Sequence, residues 1–142
     1  MINLLSLWTY SQPLGIIILV LFSINISNLG FFLRGLSMKS DRKYYIKSFK
    51  KLLEIRSKKW NITIDEDEDK VINELISNLK HHFLISGFFW FWPILYLMVA
   101  PSSWMAHHIL LGIEIVCTIL FFVNIYLQKK AERKIIMSAV KQ

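Results

Sequence analysis

Among the side chains able to do chemistry, Glu114 is the most unusual. It lies in "HHILLGIEIVCTILFFVNIYLQKK", residues 107–130, near the middle of an otherwise apolar run. A charged side chain at the centre of a membrane-spanning helix costs roughly 2.5–3.5 kcal/mol on insertion scales, so such a residue faces protein or water, or is neutral. No Lys or Arg shares its level. The expected partners are therefore Ser23, Tyr96 and the backbone carbonyl that Pro93 releases within its own helix. The expectation is a neutral carboxyl donating a hydrogen bond that packs helices together. The alternative is a role in ion passage or partner recognition.

The remaining candidates are weaker. His81-His82 and His107-His108 invite a metal reading, but adjacent residues on a helix point about 100° apart. The expected topology also places the pairs near opposite faces of the membrane, too far apart to share an ion, so interfacial placement, with polar ring tips reaching water, is the better expectation. The acidic run "DEDED", residues 65–69, lacks the glycine and the distal glutamate of a calcium loop, and favourable interaction with a helix N-terminus accounts for it. Cys117 is the single cysteine, which rules out an intramolecular disulfide. No P-loop, dinucleotide glycine pattern, CxxC, HExxH or GxSxG motif occurs. No enzyme activity, cofactor or metal is expected.

The elements that position these residues follow from hydropathy. With 142 residues, 54% hydrophobic and 19% charged, the chain is too apolar for an ordinary soluble domain. A spanning helix needs about 20 apolar residues. Three runs qualify: residues 13–33, 83–100 and 106–127. The expected fold is an all-α integral membrane protein, with three transmembrane helices and an αα-hairpin between the first and second. Residues 1–12 form an N-terminal tail, 34–82 the hairpin, 101–105 a tight turn and 128–142 a basic tail. The N-terminal segment has no basic side chain before its apolar run, so the first helix is expected to remain as an anchor and not to be cleaved.

Charge orients this arrangement. All 17 Lys and Arg residues fall between Arg34 and Lys80 or between Lys129 and Lys141. The positive-inside rule then places the N-terminus and the 101–105 turn outside, and the hairpin and C-terminus in the cytoplasm. Trp8, Tyr10 and Trp104 fall at the expected outer interface, where amphipathic rings concentrate. The net charge of +7 would suggest nucleic acid in a soluble protein. Beside spanning helices it is better explained by topology and contact with anionic lipid, which makes nucleic-acid binding unlikely.

Within the hairpin, "SDRKYYIKSFKKLLEIRSKKW" places Tyr45, Ile46, Phe49, Leu52 and Leu53 at helical spacing, with lysines opposite. This basic amphipathic helix is expected either to lie at the headgroup boundary or to pack on its neighbour. Lys47, Lys50 and Lys51 are the candidates for its working face. After a turn at "WNIT", a second helix carries Val71, Ile72, Leu75, Ile76 and Leu79, is capped by Thr63 or Asp65, and runs towards the second span.

In the third span, His107, Glu114, Thr118 and Phe121 share one stripe, with Cys117 and Asn124 at its edge. The first span offers Ser23, Asn25, Ser27 and Asn28, and the Ser23-xxx-Ser27 spacing suits close helix approach. Glu114, Thr118, Asn124, Ser23, Asn25 and Tyr96 form the candidate intramembrane polar site. The five aromatic residues 88–92 surround their helix and are expected to touch lipid.

In small size and in its plan of three spans, the chain resembles the inner-membrane exclusion proteins of phages and plasmids, of the superinfection exclusion protein A type. The resemblance implies a bacterial inner-membrane protein that acts by contact, blocking incoming DNA. It would work through the bilayer and another membrane protein, with a second copy of the chain as a further candidate partner. It carries over no functional residue. Two other plans fit the same outline: an accessory subunit of a larger membrane complex, and a class I holin, whose loops are usually shorter than residues 34–82.

Overall fold

The protein is described by a computed structural model over residues 12–64, 67–100 and 103–140. These residues fold into four helices: α1 (Gln12–Ser37), α2 (Arg42–Trp60), α3 (Glu68–Val99) and α4 (Trp104–Ser138). Three of them, α1, α3 and α4, are long and apolar enough to cross a membrane. Trp8, Tyr10, Asp65 and the side chain of Trp104, singled out above, lie outside the described residues.

Length explains the layout. At 1.5 Å per residue, α3 and α4 are about 48 and 52 Å long, against a hydrocarbon core of about 30 Å. Both are longer than such a core, and their more polar ends, together with α2, form a second core. That core buries Met38, Phe49, Leu53, Ile72, Leu75 and Ile136. The polar segment 34–82 thus has a hydrophobic interior of its own, to which residues 135–139 of α4 contribute.

Local signals set the helix ends. Asp67 caps α3, its side chain accepting from the Asp69 N–H at 3.1 Å. The expected caps Thr63 and Asp65 lie before this helix start; the acidic run places a carboxylate nearer the open N–H groups. Asn61 ends α2 in the left-handed conformation (φ 51°), its N–H directed at Lys58 O while the Ile62 N–H bonds Ser57 O. Asparagine tolerates this conformation better than most residues. A single antiparallel bridge, Ile64 with Val140, joins the loop after α2 to the end of α4. Ser103 caps α4, accepting from the Ala106 N–H at 3.1 Å.

The three long helices pack in layers along their common axis. At the α3–α4 turn, Ile18, Ala100, Ala106 and Leu110 make a small apolar cluster against which Tyr96 leans. A polar layer of Asn25, Asn28, Glu114 and Thr118 follows. Next comes an aromatic layer: Phe31 of α1 stacks on Phe83 of α3 at 5.2 Å and on Phe121 of α4 at 5.6 Å between ring centroids. A second polar layer, His82, Ser86 and Asn124, leads into the α2 end.

Outside these layers the bundle is apolar. Ile17, Val20, Phe88, Met98, Val116 and Phe122 are all exposed. A soluble monomer rarely shows contiguous apolar surface on this scale, whereas lipid would cover it without cost.

Candidate functional site

α4 brings polar side chains onto one buried face. His107, Glu114, Thr118, Asn124, Gln128 and Glu132 are each at most 8% exposed. Their spacings of four to seven residues keep them within about a third of the helix circumference, so the helix turns a polar seam towards α1 and α3 along most of its length. Glu114 is 0% exposed, and neither carboxyl oxygen has a hydrogen-bond partner among the described residues. The expected packing hydrogen bond from its carboxyl is therefore not made.

The expected partners are directed elsewhere. Ser23 is exposed, and its hydroxyl donates to its own helix at Leu19 O, 2.9 Å. Ser27 is exposed as well, so the Ser23-xxx-Ser27 face is not the contact face. The reason is angular: Asn25 and Asn28, three residues apart, fall on the side of α1 facing the bundle, about 140–160° from Ser23. Tyr96 packs in the apolar cluster next to the turn.

Asn25 makes the link between α1 and α4. Its amide is directed at the Glu114 backbone carbonyl (3.5 Å) and at Thr118 Oγ1 (3.4 Å), both long contacts. Asn28 Nδ2 donates to Asn25 Oδ1 at 3.1 Å. Of the candidate set, Asn25, Glu114 and Thr118 therefore meet, Asn124 belongs to a separate layer, and Ser23 and Tyr96 join neither.

That second layer joins α3 to α4. His82 Nδ1 and Asn124 Oδ1 are 2.6 Å apart, and Asn124 Nδ2 donates to His82 O (3.0 Å) and Ser86 Oγ (3.2 Å). Of the two histidine pairs, His81 and His108 are exposed, whereas His82 is half-buried and His107 buried, both turned towards the bundle. The 100° step between neighbours makes this split natural: when one member of a pair faces out, the other turns towards the bundle. His107 is buried with Nδ1 2.6 Å from Ser103 O. Among the described residues no group of three or more His, Cys, Asp and Glu is placed to hold a metal ion.

Gln128, Glu132 and Ser86 were not singled out from sequence. Gln128 and Glu132 continue the α4 period beyond Leu127, so extending the stripe past the apolar run would have found them. Gln128 Nε2 donates to Glu132 Oε2 at 3.2 Å, and Lys129 Nζ stands 3.8 Å from the same oxygen. Asn78 of α3 donates to Gln128 O at 3.4 Å.

On α2 the two faces separate cleanly. Phe49 and Leu53 are buried against α3, each contributing roughly 1.5–3 kcal/mol. Lys47, Lys50 and Lys51 are exposed. The apolar face of this helix packs on its neighbour α3. On the same outward surface Lys58 bonds Glu54 at 2.7 Å, and this ammonium holds the Glu54 carboxyl below its ordinary range. At the end of α2, Arg56 and Arg133 lie 5.3 and 5.7 Å from the Trp60 ring centroid, tying α2 to the end of α4.

Compared with protein-family models, curated proteins and solved structures, the chain matches none.

Proposed function

We propose that this chain is a non-enzymatic, multi-pass protein of the bacterial inner membrane, with its N-terminus outside and its C-terminus in the cytoplasm, acting by contact with another membrane protein. The setting proposed for that contact is superinfection exclusion or immunity, the blocking of incoming phage or plasmid DNA.

One observation carries the contact reading. The apolar face of α2 is occupied by α3 and the end of α4, which leaves Lys47, Lys50 and Lys51 outward on a well-packed support. A basic face held rigidly beside the membrane suits an acidic surface on a partner, and rigid presentation lowers the entropy cost of docking. The exclusion setting rests on size and plan alone.

The test is to express the chain in a bacterial host, titre a panel of phages and a conjugating plasmid, and repeat with Lys47→Glu, Lys50→Glu and Lys51→Glu combined. Exclusion by the wild type in healthy cells, lost in a variant that still inserts, supports the reading. Full exclusion by the triple variant would remove the basic face from it. Rapid loss of viability with the wild type would point instead to a holin-like pore.

An accessory-subunit role has its own supporting feature. An open apolar groove of about 520 Å³ runs between α3 and α4, lined by Phe88, Trp92, Ile109, Gly112, Val116 and Leu120. A helix of a larger complex would fit there, and its retention on mild detergent extraction would favour that role.

A further inference from the structure

A second cleft, of about 330 Å³, lies where α2, α3 and α4 meet. It straddles the level at which each long helix changes from apolar to charged: Arg34 on α1, Lys80 on α3 and Lys129 on α4. One part of its lining is apolar, with Phe31, Phe49, Phe83 and Ile125. The other carries Gln128, Lys129 and Glu132, with His82 and Asn124 nearby. This is the polarity of a molecule whose head sits at the membrane surface and whose body is apolar.

The charges narrow the choice. Glu132 is 5% exposed, a buried carboxylate, whereas Lys129 is exposed at the rim. Glu132 Oε2 accepts from Gln128 Nε2 at 3.2 Å and stands 3.8 Å from Lys129 Nζ, wider than a hydrogen bond, so Lys129 and the remaining lone pairs of Glu132 retain capacity for a ligand. A phosphate fits Lys129. An ammonium carrying N–H donors fits Glu132. A glycerol headgroup carries the same phosphate but no cation to pair with Glu132, and a quaternary amine has no N–H to donate.

We propose that this cleft binds a primary-amine phospholipid, phosphatidylethanolamine, from the leaflet on the α2 side, with its phosphate on Lys129 and its ammonium on Glu132. At about 330 Å³ the cleft is near the lower end of ligand-site volumes and admits the headgroup and the start of one acyl chain. The proposal rests on α1, α3 and α4 spanning a bilayer and is independent of any role in exclusion.

The test is native mass spectrometry of the purified full-length chain in mild detergent, with dioleoyl phosphatidylethanolamine, phosphatidylcholine or phosphatidylglycerol added at equal concentration. The expected result is about tenfold preference for the ethanolamine lipid over the choline lipid, the effect of one charge-assisted hydrogen bond. That preference should fall to about unity in Glu132→Gln. Equal binding of the ethanolamine and choline lipids by the wild type would overturn the proposal, whether or not the variant folds. So would strongest binding of the glycerol lipid, or a preference that survives in a folded Glu132→Gln.

Discussion

His82 and Asn124 clasp α3 to α4 through two contacts: the imidazole Nδ1 meets the amide oxygen at 2.6 Å, and the amide nitrogen donates to the His82 carbonyl at 3.0 Å. Because a carbonyl oxygen only accepts, the first contact places the imidazole proton on Nδ1. A further polar connection between the same helices runs from the Asn78 amide to Gln128 O at 3.4 Å.

Asn124→Leu removes both contacts and the donor to Ser86. In membrane bundles such inter-helix bonds contribute about 0.6 kcal/mol on average and up to roughly 1.7. A loss of about 1–2 kcal/mol is expected, read as an earlier midpoint in denaturing-detergent titration. An unchanged midpoint would show that the clasp adds nothing to stability.

Glu114 gives the opposite expectation. Its carboxyl has no hydrogen-bond partner among the described residues, so Glu114→Gln should change stability by less than about 1 kcal/mol, and Glu114→Leu should be no less stable than wild type. If both variants fold normally and Glu114→Gln abolishes exclusion, the carboxyl is a working group and not a packing one. A loss above about 2 kcal/mol in the Leu variant would reveal a structural bond at this site.

Gly87 of α3 lies against the Phe32 ring of α1. A Cβ there would meet the Phe32 ring at 2.3 Å, at atoms next to the start of that side chain. Gly87→Ala should therefore destabilise the bundle by about 1–3 kcal/mol, the usual cost of overpacking. Phe32→Ala in the same chain should recover part of that loss. The comparison needs only the three variants melted side by side; absence of any recovery would place the strain elsewhere.

Ile136 is 0% exposed in the core at the α2 end. Ile136→Ala is expected to cost about 2–4 kcal/mol, and its effect should be concentrated at that end. Hydrogen exchange should then quicken in α2 and the first turns of α3 while the apolar segments stay protected. Exchange unchanged in α2 would mean that the end of α4 is not part of the same cooperative unit.

Much of this architecture can be read in one dimension because the signals are local. Runs of about 20 apolar residues mark the helices able to span, the alternation of Phe49 and Leu53 with lysines marks the faces of α2, and the 3.6-residue period puts Glu114 and Thr118 together. What those faces meet is a different matter. Ser23 and Asn25 are both small polar residues on one helix, two positions apart, and only the rotation of α1 about its axis decides that Asn25 turns inward and Ser23 outward. That rotation is set by packing of Phe32 on Gly87 and Phe31 on Phe83 and Phe121, contacts between residues more than fifty positions apart. The burial of Glu132 likewise depends on α4 continuing as helix beyond its apolar run into a core built with α2 and α3. Hydropathy and period are properties of a segment and are legible in it. The partner across a helix interface is a property of the packed bundle, and only tertiary structure decides it.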